Sequence, residues 1–331
     1  MASKADCGRK ARAGGLGLLL ALVASLAPAA SAAPEREPYH LVPGSLTSGR
    51  EPDGNSIFLD ASQGLILIDT GRHPEQQARL IAHARSVGRP IAAIVNTHWH
   101  LDHSGGNAEI KAAYPRAKLY ASRAVEGALK GFLPRSRAEA ERYLASGRAT
   151  PGQAADMRLD FAAMDAPQFL RPDVPITRSS HMKLAGRPLQ VNLARYAATE
   201  GDVWVYDPAT RTVFAGDLVV PLVPFLDTAC PEGWRRALEH ISATPFTTLV
   251  PGHGDPMTHA RFEIWRRAYG RLLDCAASSR SRDACVAQWK ADAAPFIPAG
   301  SEVDSMAAYY VDARLRAKPE ERQRYCPGGA G

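Results

Sequence analysis

The chain has 331 residues and a formal net charge of +6 at neutral pH. Its basic residues are scattered. The denser stretches at 135–148, 261–271 and 314–324 alternate with acids or apolar residues, as solvated helix faces do, which excludes a nucleic-acid footprint.

The first 32 residues read as an export signal rather than as part of a fold. Lys4, Arg9, Lys10 and Arg12 make a basic head, residues 16–26 an apolar core too short to span a bilayer comfortably, and Ala30-Ser31-Ala32 a small-residue cleavage site. Cleavage before Ala33 would leave a periplasmic or secreted chain of net charge about +3, with no stable membrane anchor. The competing reading is an uncleaved anchor. Cys7 would be lost with the head, leaving Cys230, Cys275, Cys285 and Cys326. An even count behind an export signal favours disulfides. Of the three pairings, Cys275–Cys285 with Cys230–Cys326 is favoured: the first closes a short loop and the second ties the chain end to the body.

The remaining residues, 33–331, read as one domain, since no Pro/Gly/Ser-rich linker divides them. Short strands are expected at 39–42, 46–49 and 56–61, leading into 64–69. A helix over 73–87 starts at Pro74 and stops at Gly88. The apolar run 91–95 reads as a buried strand, and 118–121 as another. Residues 124–164 are rich in Ala, Arg and Glu with helical apolar spacing broken at Pro134 and Pro151, which suggests an insertion of two or three helices. Strands of a second sheet are expected at 174–177, 181–184, 189–193, 203–206 and 212–215. A helix at 234–243, a strand at 248–250 and a mostly helical extension from about 260 to 325 follow. Two strand-rich halves with outer helices fit an α/β fold, an αββα sandwich of two mixed sheets.

The chemistry concentrates in Asn96-Thr97-His98-Trp99-His100-Leu101-Asp102-His103-Ser104-Gly105-Gly106-Asn107. His98 and His100 are two apart, so near a strand end they point to the same side. The chain then turns and presents Asp102 and His103 from another direction. Imidazole nitrogen and carboxylate oxygen suit zinc, and two pairs facing different ways suit two metal pockets.

The pattern His-x-His-x-Asp-His resembles the signature of the metallo-β-lactamase fold superfamily. Leu65-Ile66-Leu67-Ile68-Asp69-Thr70-Gly71, Val213-Phe214-Ala215-Gly216-Asp217 and Val250-Pro251-Gly252-His253-Gly254 resemble its other motifs, in the family's order. One motif departs. The family usually carries a histidine just before a Gly-Asp and an apolar strand, and this chain has Ala198 there, followed by Thr199-Glu200-Gly201-Asp202.

The resemblance implies a first pocket of His98, His100 and the missing histidine, and a second of Asp102, His103 and His253, with Asp217 bridging or beside both. One zinc ion in the second pocket is therefore expected, two being possible if Glu200 replaces the lost ligand. His181 and His240 are further candidates with no spacing argument. Asp69 is expected to fix a ligand histidine from behind, or to be a plain turn aspartate. His40, His73, His83 and His259 are expected at the surface or at helix ends, and Trp99 and Trp204 in packing. The implied activity is hydrolysis of an ester, thioester, lactone or lactam bond in a small molecule by metal-activated water, with Asp102, His98, His100 and Asp217 in the chemistry. The competing readings are a zinc-binding protein with a decayed centre, kept for ligand or partner binding, and di-iron redox chemistry.

Overall fold

The computed structural model describes residues 38–45, 47, 49–297, 303–322 and 324–327. The expected export signal lies outside them, as does part of the expected strand at 46–49. One six-stranded sheet runs in the order β1 (His40–Val42), β2 (Ser56–Ala61), β3 (Gly64–Ile68), β4 (Ile91–Val95), β5 (Lys118–Ser122) and β6 (Val174–Ile176). The second contains β7 (Ser180–Leu184), β8 (Arg187–Arg195), β9 (Gly201–Asp207), β10 (Thr212–Gly216), β11 (Thr248–Pro251) and β12 (Met257–Thr258), in reverse order across the sheet. The expected αββα sandwich is formed. The segment assigned from sequence to the start of the second sheet instead closes the first, because β6 pairs in parallel with β5. Local apolar patterning says that a segment is a strand, not which sheet accepts it.

The central strands of both sheets are buried on both faces, and side-chain alternation sorts their residues into layers. Ile57, Leu59, Ile66 and Ile68 meet Val203, Val205 and Phe214 in the core between the sheets. The alternate residues Phe58, Leu65 and Leu67 face the helices Pro74–Ser86 and Asn107–Ala113. On the far side Trp204 and Tyr206 face the helices Pro231–Ser242 and His259–Ala277, where Trp234 and Trp265 are fully buried.

The insertion folds as three helices, Val125–Lys130, Phe132–Ala145 and Pro151–Asp165. Both prolines begin helices rather than break them. Pro134 lies in the first turn, where backbone N–H groups lack intrahelical acceptors anyway. Pro151 follows Thr150, whose hydroxyl accepts from the Gln153 N–H while the Gln153 side chain accepts from the Thr150 N–H. Both expected disulfides form. Cys275–Cys285 joins His259–Ala277 to Arg282–Ala293, and Cys230–Cys326 ties the end of the described chain to the start of Pro231–Ser242. Among the described residues no helix is long and apolar enough to cross a membrane.

Candidate metal centre

Four strand ends converge. β3 and β4 are parallel, as are β10 and β11. Their carboxyl ends release Asp69, the 96–107 turn, Asp217 and His253 at one edge of the sandwich. Open α/β sheets place ligand sites at such strand ends, where loops leave a rigid frame. Tight packing makes this edge dependent on glycine. A Cβ on Gly54 would lie 2.3 Å from the His103 ring, and one on Gly216, at φ +54°, would lie 2.5 Å from the Thr97 Cβ. Asn55 stitches the two sheets together: its N–H donates to the Gly252 carbonyl at 2.7 Å and its amide to the Pro251 carbonyl at 3.0 Å.

Asp102, His103, Asp217 and His253 are buried and offer ligand atoms within 4.8 Å of one another. His103 Nε2 lies 3.0 Å from Asp217 Oδ1 and 3.2 Å from His253 Nε2, and His253 Nε2 lies 3.1 Å from Asp102 Oδ2. A second group joins His98 and His100 to the same Asp217. The six residues named from the sequence motifs thus come together, with the aspartate shared.

Hydrogen-bond direction fixes which nitrogens are free. The Thr97 hydroxyl donates to Asp69 Oδ2 at 2.7 Å, so its oxygen accepts the proton on His98 Nδ1, 3.0 Å away. His98 Nε2 then carries a bare lone pair; it is buried without a hydrogen-bond partner, 3.7 Å from Asp217 Oδ2. Likewise the Thr228 hydroxyl donates to the Ala198 carbonyl at 2.9 Å, so it accepts from His100 Nε2–H at 3.0 Å and leaves Nδ1 bare. His103 Nδ1 donates to Asp69 Oδ2 at 2.8 Å, leaving Nε2 toward the quartet. Asp69 therefore holds one ligand candidate directly and another through Thr97, the arrangement that orients metal-binding histidines. It does so at φ +58°.

The electrostatics agree with a cation site. Burial keeps His98 well below the ordinary imidazole value and holds His100 at about 4, so both rings are neutral at pH 7. Burial works against charge on Asp102 and Asp217 too, but His103 and His253 outweigh it and hold both carboxyls below the usual carboxylate range. In return Asp217 and Asp102 overcome burial and raise His103 and His253. Two ionised carboxylates enclosed with imidazoles attract positive charge, and the bare His98 nitrogen is a donor without a use inside the protein. The residues fit a metal ion.

Ala198 is buried where the family's histidine is expected. Glu200 does not join either group: its carboxylate accepts from the Trp99 indole N–H at 3.3 Å. His181 and His240 are exposed, on β7 and on the helix Pro231–Ser242. His73, expected at the surface or a helix end, begins its helix but is buried. Its ring spans Asp53 at 2.7 Å and Asp156 at 3.0 Å, two carboxylates distant in sequence. Thr228 carries no sequence motif; only its position against His100 and Ala198 reveals it.

The group opens into a cavity of about 400 Å³ lined by the insertion helices, the loop after Asp217, and Met306. Trp99, buried against Phe132, contributes to its wall.

A motif order of this kind on an αββα sandwich, closing on a His/Asp cluster, defines a metal-site fold. The model of the metallo-beta-lactamase superfamily matches residues 49–253, and the chain belongs to that superfamily. Over 222 residues it is 24% identical to the linear primary-alkylsulfatase of Pseudomonas sp., covering 61% of this chain and 41% of that protein. A shorter stretch of 45 residues is 49% identical to a hydroxyacylglutathione hydrolase of Synechococcus sp., covering 14% of this chain and 18% of that enzyme. The chain therefore spans well under half the length of these relatives. The solved structure of a sec-alkyl sulfatase, PisA1, shares the fold with a TM-score of 0.56 at 18% identity, over 84% of this chain and 48% of that one.

Proposed function

We propose that this chain is an exported, zinc-dependent hydrolase acting on a small molecule, with ester, thioester, lactone and lactam (amide) bonds as the class cleaved. The observation that carries the reading is the buried quartet Asp102, His103, Asp217 and His253 at the floor of an apolar cavity. The names of the relatives favour the ester and thioester members of that class. Export is supported by the leader and by two disulfides, which persist in oxidising compartments.

The quartet would hold one zinc ion, and His98, His100 and Asp217 a second, weaker one. Bound zinc supplies Lewis acidity and brings the pKa of a water toward about 7. The chain's own residues do the rest. Asp102, at the cavity surface, accepts a proton from the attacking water. Asp217 orients the site by facing both groups. His98 and His100, neutral and fixed by Thr97 and Thr228, present lone pairs. The cavity walls exclude bulk water. In balance, water oxygen bonds to the electrophilic atom, the scissile bond breaks, and the leaving atom takes up the proton.

The competing reading, a metal-binding protein with a decayed centre, is motivated by Ala198. It has the intact quartet against it. The test is elemental analysis of the exported protein together with hydrolysis of sulfate esters, thioesters, lactones and lactams. Near one zinc per chain, and turnover lost with chelator and with Asp102→Ala, is expected. Bound zinc with no turnover across the panel would move the assignment to ligand binding.

A further inference from the structure

The cavity wall holds one arginine, and its surroundings are unusual. Arg72 is the sole Lys or Arg among the lining residues. Its backbone N–H is held by Asp53 Oδ1 at 2.6 Å, which fixes where the side chain enters. The Arg72 side chain is 10% exposed. Its Nε lies 2.9 Å from Asp160 Oδ1, yet both atoms are buried without a hydrogen-bond partner. Its Nη1 donates to the Pro52 carbonyl at 3.5 Å and lies 3.6 Å from Glu51, so the guanidinium is ion-paired without a two-point match to one carboxylate. Burial holds the Asp160 carboxyl at about 6 even with the guanidinium beside it. Arg72 is thus a cation whose contacts run through Nε and Nη1, near enough to Asp102 to influence its charge.

Glu51, Ser136 and the His/Asp cluster also line the cavity. The remaining wall is apolar and comes from three separate elements. Phe132, Met157 and Met164 stand on the insertion helices, Leu222 and Phe225 on the loop after Asp217, and Met306 on the helix Asp304–Tyr310. Phe225 and Met306 are 37% and 46% exposed, an amount of apolar surface that is costly to leave wet. Flexible methionines among the lining residues suit a chain-like ligand of variable shape.

We propose that the cavity selects a single-chain anionic amphiphile, with the hydrocarbon chain along the Phe132–Met164–Phe225–Met306 wall and an oxyanion next to the scissile bond held by Arg72 in place of Asp160. A guanidinium pairs with an oxyanion through two parallel N–H donors, which Asp160 does not engage here. This deepens the hydrolase reading and takes its site from it. The test is therefore equilibrium binding, which needs no turnover.

The experiment is calorimetric titration of the disulfide-bonded, metal-containing protein with n-decyl sulfate, decanoate and n-hexyl sulfate below their critical micelle concentrations, and with n-decanol below its solubility limit. Both ten-carbon anions should bind at least tenfold more tightly than decanol, the size of a charge-assisted contact. Decyl sulfate should exceed hexyl sulfate, by up to roughly fourfold per methylene at full burial. Arg72→Gln should bring the anions down to decanol and leave decanol within about twofold. Asp160→Asn should tighten the anions several-fold, a gain that damaged folding would not give. If Arg72→Gln does not fold, Asp160→Asn decides alone. Equal binding of anion and alcohol, no dependence on chain length, or no tightening in Asp160→Asn overturns the proposal. Binding as expected without hydrolysis would overturn the hydrolase reading and leave this one standing. Discrimination between decyl sulfate and decanoate names the oxyanion.

Discussion

The two ligand groups that share Asp217 are built differently. In the quartet the candidate atoms touch one another: His103, His253, Asp102 and Asp217 lie within 3.0–3.5 Å in several pairings. In the other group His98 and His100 are fixed from behind by the Thr97 and Thr228 hydroxyls, and only Asp217 supplies charge. Two neutral imidazoles and half a share in a carboxylate attract a cation less than two carboxylates and two imidazoles do. On the proposed reading one turn would supply a stronger site and a weaker one, with Ala198 where they diverge.

The largest effect should come from breaking the strong site. Asp102→Ala is expected to lower kcat/KM by roughly a thousandfold, the cost of removing a group that acts on developing charge, and to lower zinc content with it. Retained zinc with unchanged turnover would remove Asp102 from the chemistry. Next is Asp69→Asn, which tolerates the positive φ but changes what His103 and Thr97 bond to. Zinc affinity, read by chelator competition, should fall about 10–100-fold.

Thr228→Val separates the groups. It should weaken only the His98/His100 site, by up to about tenfold, and leave the first equivalent of zinc unaffected. Loss of both equivalents would mean that the groups are one unit. Ala198→His asks the reverse. It should raise zinc content from near one toward two, at a cost of about 1–3 kcal/mol for packing a ring at a buried position, measured by denaturant unfolding.

The smallest effect is a pH dependence away from the metal. Asp53 first, opposed by burial and helped by Asp156, raises His73 above the ordinary imidazole value. That contribution to stability is full below the unfolded value of about 6.5 and is lost as pH rises through the folded one. Asp53 and Asp156 are held low, so theirs is present above about pH 4 and lost as pH falls through their folded values. Stability of the docked insertion should peak between these limits, and His73→Gln should flatten its alkaline side. An unchanged alkaline limb in the variant would place the titrating group elsewhere.

Much of the candidate site was legible because its chemistry is written locally. Four ligand-type residues within His98–His103 leave a strand end in a fixed order, and strand geometry gives their directions. Asp217 and His253 could be named because their segments resemble the superfamily's motifs in order. The even cysteine count favoured disulfides, and the short loop at 275–285 favoured the pairing that the fold adopts. Thr228, Arg72 with Asp160, and the burial of His73 were not legible. Each matters through a partner 83 or more residues away, and hydroxyls, arginines and lone histidines look alike wherever they stand in a chain.

By itself the sequence determined the layer architecture, since period-two apolar runs between amphipathic helices have few ways to bury both faces. It also determined the identity of the six ligand candidates. The tertiary structure decided which sheet takes β6, how Ala198 is covered, which imidazole nitrogens are bare, and that one arginine lines the cavity beside its apolar walls. Those outcomes depend on the meeting of distant side chains, where distance and hydrogen-bond direction set the energy and local pattern does not.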